Sequence, residues 1–410
     1  MTITVIKGGN VLDIEKGVFL EGHSVVIEGD RIVEVTDREP DFAEAVIIDA
    51  RGKTVMPGFI DCHVHVLAAN ANLGANAAQP NILATIRALP LLDAMLRRGF
   101  TTVRDAGGAD WALQQAVETG LIPGPRIFPS GKALSQTGGH GDFRARSDLL
   151  DPCSCCFRVG AIARVVDGVD AVRLAAREEI LKGATQIKIM ASGGVASPND
   201  PIANTQYSED EIRAIVGEAE AANTYVMAHA YTSRAIMRAV RCGARTIEHG
   251  NLVDEAAAQV MREHKAYAVP TLATYDVLAD EKYGLPADSR AKVAAVQRAG
   301  RESLSIFHKA DVPMGFGSDL LGDMQAFQSN EFRIRAEVLG NLEVLRSATL
   351  IGAEILNMKG QLGTISPGAI ADVLVVDGDP LVDIEAVARG AERIHYVIQN
   401  GKIVSRLDQA

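Results

Sequence analysis

The chain has 410 residues, 47% hydrophobic and 23% charged, which excludes a disordered or collagen-like protein. Lys plus Arg number 41 against 52 Asp plus Glu, a formal charge of −11 that argues against a non-specific grip on nucleic acid or an anionic membrane. At about 150 residues per domain the length predicts two to three domains, or fewer where a barrel is present. No apolar run reaches the roughly 18 residues of a transmembrane helix. The start, MTITVIKGGNVLD, alternates like a strand and carries no signal-peptide pattern. Five cysteines, few and odd in number, fit a reducing compartment, so the expected location is the cytoplasm.

Residues 1–57 read as short strands, Ile3 to Ile6, Val25 to Ile27, Ile32 to Val35 and Val46 to Ile48. Gly8-Gly9, Gly29-Asp30 and Arg51-Gly52 supply the turns. From Gly58 to Gly360 the rhythm changes. Eight apolar, β-branched runs are expected as strands: Phe59 to Val66, Thr101 to Asp105, Arg126 to Ser130, Gln186 to Met190, Thr224 to Ala228, Arg245 to Glu248, Ala266 to Thr271 and Val312 to Gly317. Helical periods separate them, such as Ile82 to Arg98, Asp170 to Lys182, Asp210 to Ala222, Ser233 to Arg241 and Glu255 to His264. Eight continuous runs alternating with helices predict an α/β fold, a parallel (β/α)8 TIM-like barrel. Residues 361–410 return to strands at Ala371 to Val376, Ile394 to Ile398 and Lys402 to Val404. Neither end alone makes a good core, so 1–57 and 361–410 are expected to pair as one small β-sandwich domain beside a 58–360 barrel.

In such a barrel, residues at the C-terminal ends of strands line the active-site mouth. His63 and His65 lie two apart on the first run, so both rings face one side and can reach one metal ion. Lys188 sits in the fourth run, His229 and His249 close the fifth and sixth, and Asp319 follows the eighth. Each has an ordinary explanation: a hydrogen-bonded strand-end histidine, a snorkelling lysine, a helix N-cap aspartate. Together they do not, because four of the nine histidines fall at strand ends. His23, His264, His308 and His395 lie in the end segments or on helices and carry no such case. The cluster Cys153-Ser154-Cys155-Cys156 lacks a second pair at zinc-finger spacing and reads as a loop with free thiols. Gly138-Gly139 and Gly193-Gly194 are not nucleotide-binding fingerprints, and Ser192 and Ser318 have no case as nucleophiles.

The motif Pro57-Gly58-Phe59-Ile60-Asp61-Cys62-His63-Val64-His65, the later Lys188, His229, His249 and Asp319, and the closing stretch Gly363 to Asp377 resemble the amidohydrolase superfamily, binuclear subtype, over nearly the whole chain. The resemblance implies two divalent metal ions. His63, His65 and Asp319 would hold one, His229 and His249 the other, with Lys188 bridging as an N6-carboxylated lysine. Burial lowers a lysine's pKa, which favours the neutral amine that takes up carbon dioxide. Zinc suits the mixed nitrogen and oxygen ligands best, with iron, cobalt and manganese open. The implied mechanism is attack by a metal-bridging hydroxide, with Asp319 as general base and then acid.

His140, in the loop Ser135-Gln136-Thr137-Gly138-Gly139-His140-Gly141-Asp142, is a candidate for catalysis and for substrate binding, and Tyr231 for substrate binding. No glutamate follows His229 in Ala230-Tyr231-Thr232-Ser233-Arg234. Deaminases of the superfamily usually have one there and lack the bridging lysine, so amide hydrolysis is favoured over deamination. The Gly-Gly-His-Gly-Asp loop with Ile187-Lys188-Ile189-Met190-Ala191-Ser192-Gly193-Gly194 is similar to prolidase-like and carboxypeptidase-like members, metallopeptidases acting on dipeptides such as Xaa-Pro or on N-acyl amino acids. The loop Leu67 to Ala78 would leave room for a hydrophobic N-terminal side chain. Open alternatives are a cyclic amide hydrolase of the dihydroorotase, hydantoinase or imidazolonepropionase kind, a deaminase, and a non-catalytic assembly protein. The expected partners are a small-molecule or dipeptide substrate and further copies of the chain in a homo-oligomer.

Overall fold

The computed structural model describes all residues except 1, 39, 41, 43, 145–157, 196–199, 281, 283–286 and 408–410. The thiol cluster at 153–156 lies outside the described residues. In chain order the strands are β1 (Ile3–Asp13), β2 (Val18–Glu28), β3 (Arg31–Thr36), β4 (Val46–Asp49), β5 (Thr54–Pro57), β6 (Phe59–Val64), β7 (Phe100–Asp105), β8 (Arg126–Phe128), β9 (Ala133–Ser135), β10 (Ala163–Val165), β11 (Ile187–Met190), β12 (Val226–Thr232), β13 (Thr246–Leu252), β14 (Tyr267–Val269), β15 (Val373–Val376), β16 (Ile394–Gln399) and β17 (Lys402–Arg406).

The two chain ends do share one sheet. Its order is β17-β16-β15-β5-β1-β2-β3, with β4 also on β1. The central join is β15 against β5, antiparallel, with Leu374 opposite Met56 and Val375 opposite Val55. Alternation along β15 explains why the run is apolar throughout. Val373 and Val375 pack with Ile6, Val25 and Val55 on the outer side. Leu374 and Val376 pack with Phe59, Phe100 and Phe332 below the parallel strands. Arg126 bonds Asp372 at 2.7 Å across that boundary, and Asp372 is 3% exposed.

The middle of the chain forms two parallel sheets, one ordered β10-β9-β11-β12-β13-β14 and one β6-β7-β8. The ladders do not close into the single eight-stranded barrel expected. The eighth run, 312–317, makes only an isolated bridge, Ala268 to Met314. Pro313 has no N–H to give, and the Phe316 N–H goes to Ser347 O at 3.0 Å instead of to a neighbouring strand. Single backbone bonds still hold the run between its neighbours: Gly315 N to Ala268 O at 2.8 Å, Cys62 N to Phe316 O at 2.7 Å and Asp319 N to His63 O at 2.9 Å. At the other seam Thr185 N bonds Pro129 O at 2.8 Å, and the Gln186 amide donates to Phe128 O at 2.9 Å. The short strands β9 and β10 were not expected, and the His140 loop lies between them.

The helices between strands match the sequence pattern closely. Ser233–Arg241 falls where expected, capped by Thr232 accepting from Ala235 N. Glu209–Ala221 opens on a full Ser208/Glu211 capping box.

Candidate active site

One cavity at the C-terminal ends of the parallel strands is lined by His63, His65, His140, Lys188, His229, His249 and Asp319. Leu73, Phe143, Ile162, Met190 and Leu321 give it an apolar wall. Tyr231 is not among the lining residues.

The histidines are aimed by bonds on their far nitrogens. His63 Nδ1 lies 2.7 Å from Glu248 Oε2, and His65 Nδ1 lies 3.0 Å from Gly107 O. Both partners only accept, so each Nδ1 carries the proton and each Nε2 keeps a lone pair. Those two Nε2 atoms converge on Asp319 Oδ1, each at 3.4 Å. Among the described residues His63, His65 and Asp319 form the cluster able to hold a metal ion. His229 Nε2 donates to Gly193 O at 3.2 Å, which leaves its Nδ1 as donor atom toward a metal. His249 Nδ1 bonds Thr271 Oγ1 at 2.7 Å, which leaves its Nε2. Two nitrogens and a carboxylate on one side, two more nitrogens on the other and a lysine in the same cavity are donor chemistry suited to divalent cations.

The backbone is strained at two of these positions. His249 has φ +72° and Asp319 φ +52°, left-handed conformations that non-glycine residues rarely adopt. Each costs on the order of 1 kcal/mol and is expected where a site over-determines the chain.

Electrostatics fit the same picture. Burial holds the Lys188 ammonium down to about 8 against the pull of Glu248 and Asp319. Burial keeps the His229 and His249 rings well below the ordinary imidazole range, with His140 and His249 adding to the effect at His229 and Asp319 opposing it at His249. Burial alone would raise Asp319, but positive charge on His63, and N–H donation from His63 and His65 when their Nε2 atoms are protonated in the cation-free site, hold it well below the usual carboxylate range. Asp319 keeps 21% of its side chain exposed where His63 keeps 1%, so the carboxylate is the accessible member of that trio.

His140 is fitted into a glycine cradle. Its ring stacks on His229, centroids 4.2 Å apart and planes at 20°. A Cβ at Gly194 would lie 2.0 Å from His140 Cε1. The His140 backbone N–H donates to Gln206 Oε1 at 3.0 Å. Burial, then Lys188, pushes His140 down to about 4, so it is a neutral donor. Gly194→Ala is expected to displace this ring and lower kcat/KM by about tenfold or more with little loss of stability, since a misplaced positioning group costs that much. Steady-state kinetics beside a denaturant melt check it. Tyr231 is buried, its ring stacked on His249 at 5.2 Å and its hydroxyl 2.6 Å from the Tyr275 hydroxyl.

Sequence reading passed over Glu248 and Thr271, which hydrogen-bond His63 and His249, and Arg104, which bonds Glu248. The signal was there: a glutamate and an arginine inside apolar strand runs, Thr246-Ile247-Glu248 and Thr102-Val103-Arg104.

Histidines, a buried lysine and a carboxylate gathered at parallel strand ends define a hydrolase-type site. The chain belongs to the Amidohydrolase family, whose sequence model matches residues 54–404. A crystal structure of a prolidase complexed with N-methylphosphonate-L-proline is 76% identical, covers 99% of this chain and 100% of its own, and superposes with TM-score 0.97. A crystal structure of a Xaa-Pro dipeptidase with bound methionine in the active site is 28% identical over 98% of this chain and 99% of its own, TM-score 0.87. Ochratoxinase of Aspergillus niger is 30% identical over 98% of this chain and 86% of its own length. No helix among the described residues is long and apolar enough to cross a membrane.

Proposed function

We propose that the protein hydrolyses the amide bond of Xaa-Pro dipeptides and N-acyl-prolines. The observation that carries this reading is the 76% identity, over 99% of the chain, to a prolidase complexed with a proline phosphonate. In this reading residues 58–360 are the catalytic unit, and 1–57 with 361–410 a β domain bracing it.

His63, His65 and Asp319 would hold one divalent cation and His229 and His249 a second, with zinc the best match to these donors. Lys188, as its carbamate, would lie between them. When bound, the cations acidify a water in the site and polarise the scissile carbonyl. The protein's own side chains do the rest. Asp319, ionised and facing the cavity, takes the proton of the attacking water and returns it to the leaving nitrogen. That return matters for proline, because its nitrogen leaves as a basic secondary amine. The neutral His140 offers an N–H to the substrate carboxylate. Tyr231 assists through its contact with His249 or, by turning its hydroxyl from Tyr275, directly. Leu73, Phe143, Ile162 and Leu321 receive the N-terminal side chain and exclude water.

The test is a substrate panel. Protein supplied with zinc and bicarbonate is incubated with Xaa-Pro, Xaa-Leu and Xaa-Arg dipeptides, N-acyl amino acids and cyclic imides, and released product is scored. Proline-terminated substrates are expected to lead. Turnover of cyclic imides alone would sink the peptidase reading.

A further inference from the structure

Below the cavity floor lies a buried ion pair that the reaction does not use directly. Arg104 and Glu248 are both 0% exposed, and the Arg104 Nη2 donates to Glu248 Oε1 at 2.9 Å and to Oε2 at 3.1 Å. Arg104 is itself anchored. Its Nε donates to Cys62 O at 2.7 Å and its Nη1 to Thr246 Oγ1 at 3.1 Å. The Thr246 hydroxyl donates to Glu248 Oε1. The group therefore ties β6, β7 and β13 together, and only one of its contacts reaches the cavity: Glu248 Oε2 to His63 Nδ1 at 2.7 Å.

A buried ion pair is a poor device for stability alone, since desolvating both charges offsets their attraction. Arg104 and the Thr246 hydroxyl both donate to the Glu248 carboxylate, so what it offers His63 is an acceptor oxygen. An acceptor at that place allows His63 a single neutral tautomer.

We infer that Glu248, clamped by Arg104, is a positioning residue that fixes the His63 tautomer and aims its Nε2 at the cation shared with His65 and Asp319. The inference rests on the metal reading above for its last clause, while the tautomer is independent of it. A glutamine is nearly isosteric but carries both an acceptor and a donor. With its oxygen turned to Arg104, its amide N–H faces His63 Nδ1, which must then accept. The ring proton moves to Nε2, the atom needed for the metal.

The experiment compares wild type, Glu248→Gln and Thr246→Val. Thr246→Val loosens the same ion pair without touching His63. Metal-free protein labelled with nitrogen-15 histidine reports the His63 tautomer by NMR, and zinc titration against a chromophoric chelator reports affinity. The expected result is an Nδ1–H tautomer in wild type and Thr246→Val, an Nε2–H tautomer in Glu248→Gln, and zinc binding weakened about 10- to 100-fold in Glu248→Gln alone. Unchanged tautomer and affinity in Glu248→Gln, or equal losses in both variants, would overturn the inference, the latter by showing a merely structural role. If Glu248→Gln does not fold, the wild type decides alone: an Nε2–H tautomer of His63 in the metal-free protein would overturn the inference. A wild type that binds no zinc yet shows the expected tautomers would sink the metal reading and leave the positioning role standing.

Discussion

Replacing Lys188 with alanine is expected to lower kcat/KM by about 10^3-fold or more while the protein remains folded, because it removes a preorganised charge at the reaction centre. The structural side of the argument is burial. Lys188 is 1% exposed on β11, among the apolar Ile187, Ile189 and Met190. A buried ammonium is costly, so deleting it should not weaken the fold, and the truncation leaves a small cavity beside polar groups that water can fill. The chemical side is the neutral amine. A lysine held at about 8 rather than 10.5 has roughly 300-fold more free amine at neutral pH. That amine can attack carbon dioxide: an N–C bond forms, an N–H proton leaves to solvent, and an anionic carbamate results. Two measurements check the reading. The intact wild type, zinc-loaded in bicarbonate, should exceed the mass of its sequence plus bound zinc by one carbon dioxide, and the Lys188→Ala variant should not. Added short carboxylic acids should restore part of the variant's activity, since a free carboxylate can occupy the vacated position. A Lys188→Ala enzyme with near-normal activity would remove Lys188 from the site.

Much of this site was legible in the sequence because strand-end position is itself a signal. His63, His65, His229, His249 and Asp319 all line one cavity, as does Lys188. The pairing of the two chain ends was legible for a different reason: a run apolar at every position, Val373 to Val376, needs both faces covered, and β5 and β16 flank it while two cores cover it. The misses have physical causes. The run 312–317 is apolar like a strand, but Pro313 and the diverted Phe316 N–H break its ladder. Strands β9 and β10 are three residues each, below the length at which periodicity can be read. Glu248 and Arg104 were hidden by long range: the charge that makes each tolerable inside a strand comes from a residue 144 positions away. Tyr231 was placed by its neighbour His229 alone, and nothing local revealed that Tyr275 would meet its hydroxyl.

Replacing Asp319 with asparagine is expected to lower kcat for an Xaa-Pro substrate by about 10^2- to 10^4-fold, the span of a lost general acid–base group. Asparagine keeps the size and one carbonyl oxygen of the aspartate, so the left-handed backbone at φ +52° remains tolerable and the contact with β6 through the Asp319 N–H is unaffected. What it loses is the ability to take up a proton and release it again. KM should therefore change little, since the groups proposed to hold the substrate carboxylate and side chain are elsewhere. Weaker metal retention would mimic part of the loss, so zinc content is measured on the same samples. The discriminating comparison uses an ester in which the proline nitrogen is replaced by the oxygen of a 2-hydroxy acid. An alkoxide leaves with less need for a proton than a secondary amine does. If Asp319 serves as base and then as acid, the amide should lose more rate than the ester in Asp319→Asn, and the amide-to-ester ratio should fall. If it only holds metal, both substrates should lose rate in the same proportion as zinc, and the ratio should stay at its wild-type value. Equal losses with full zinc occupancy would confine Asp319 to the base step and require another proton donor, for which His140, stacked on His229 in the same cavity, is a candidate.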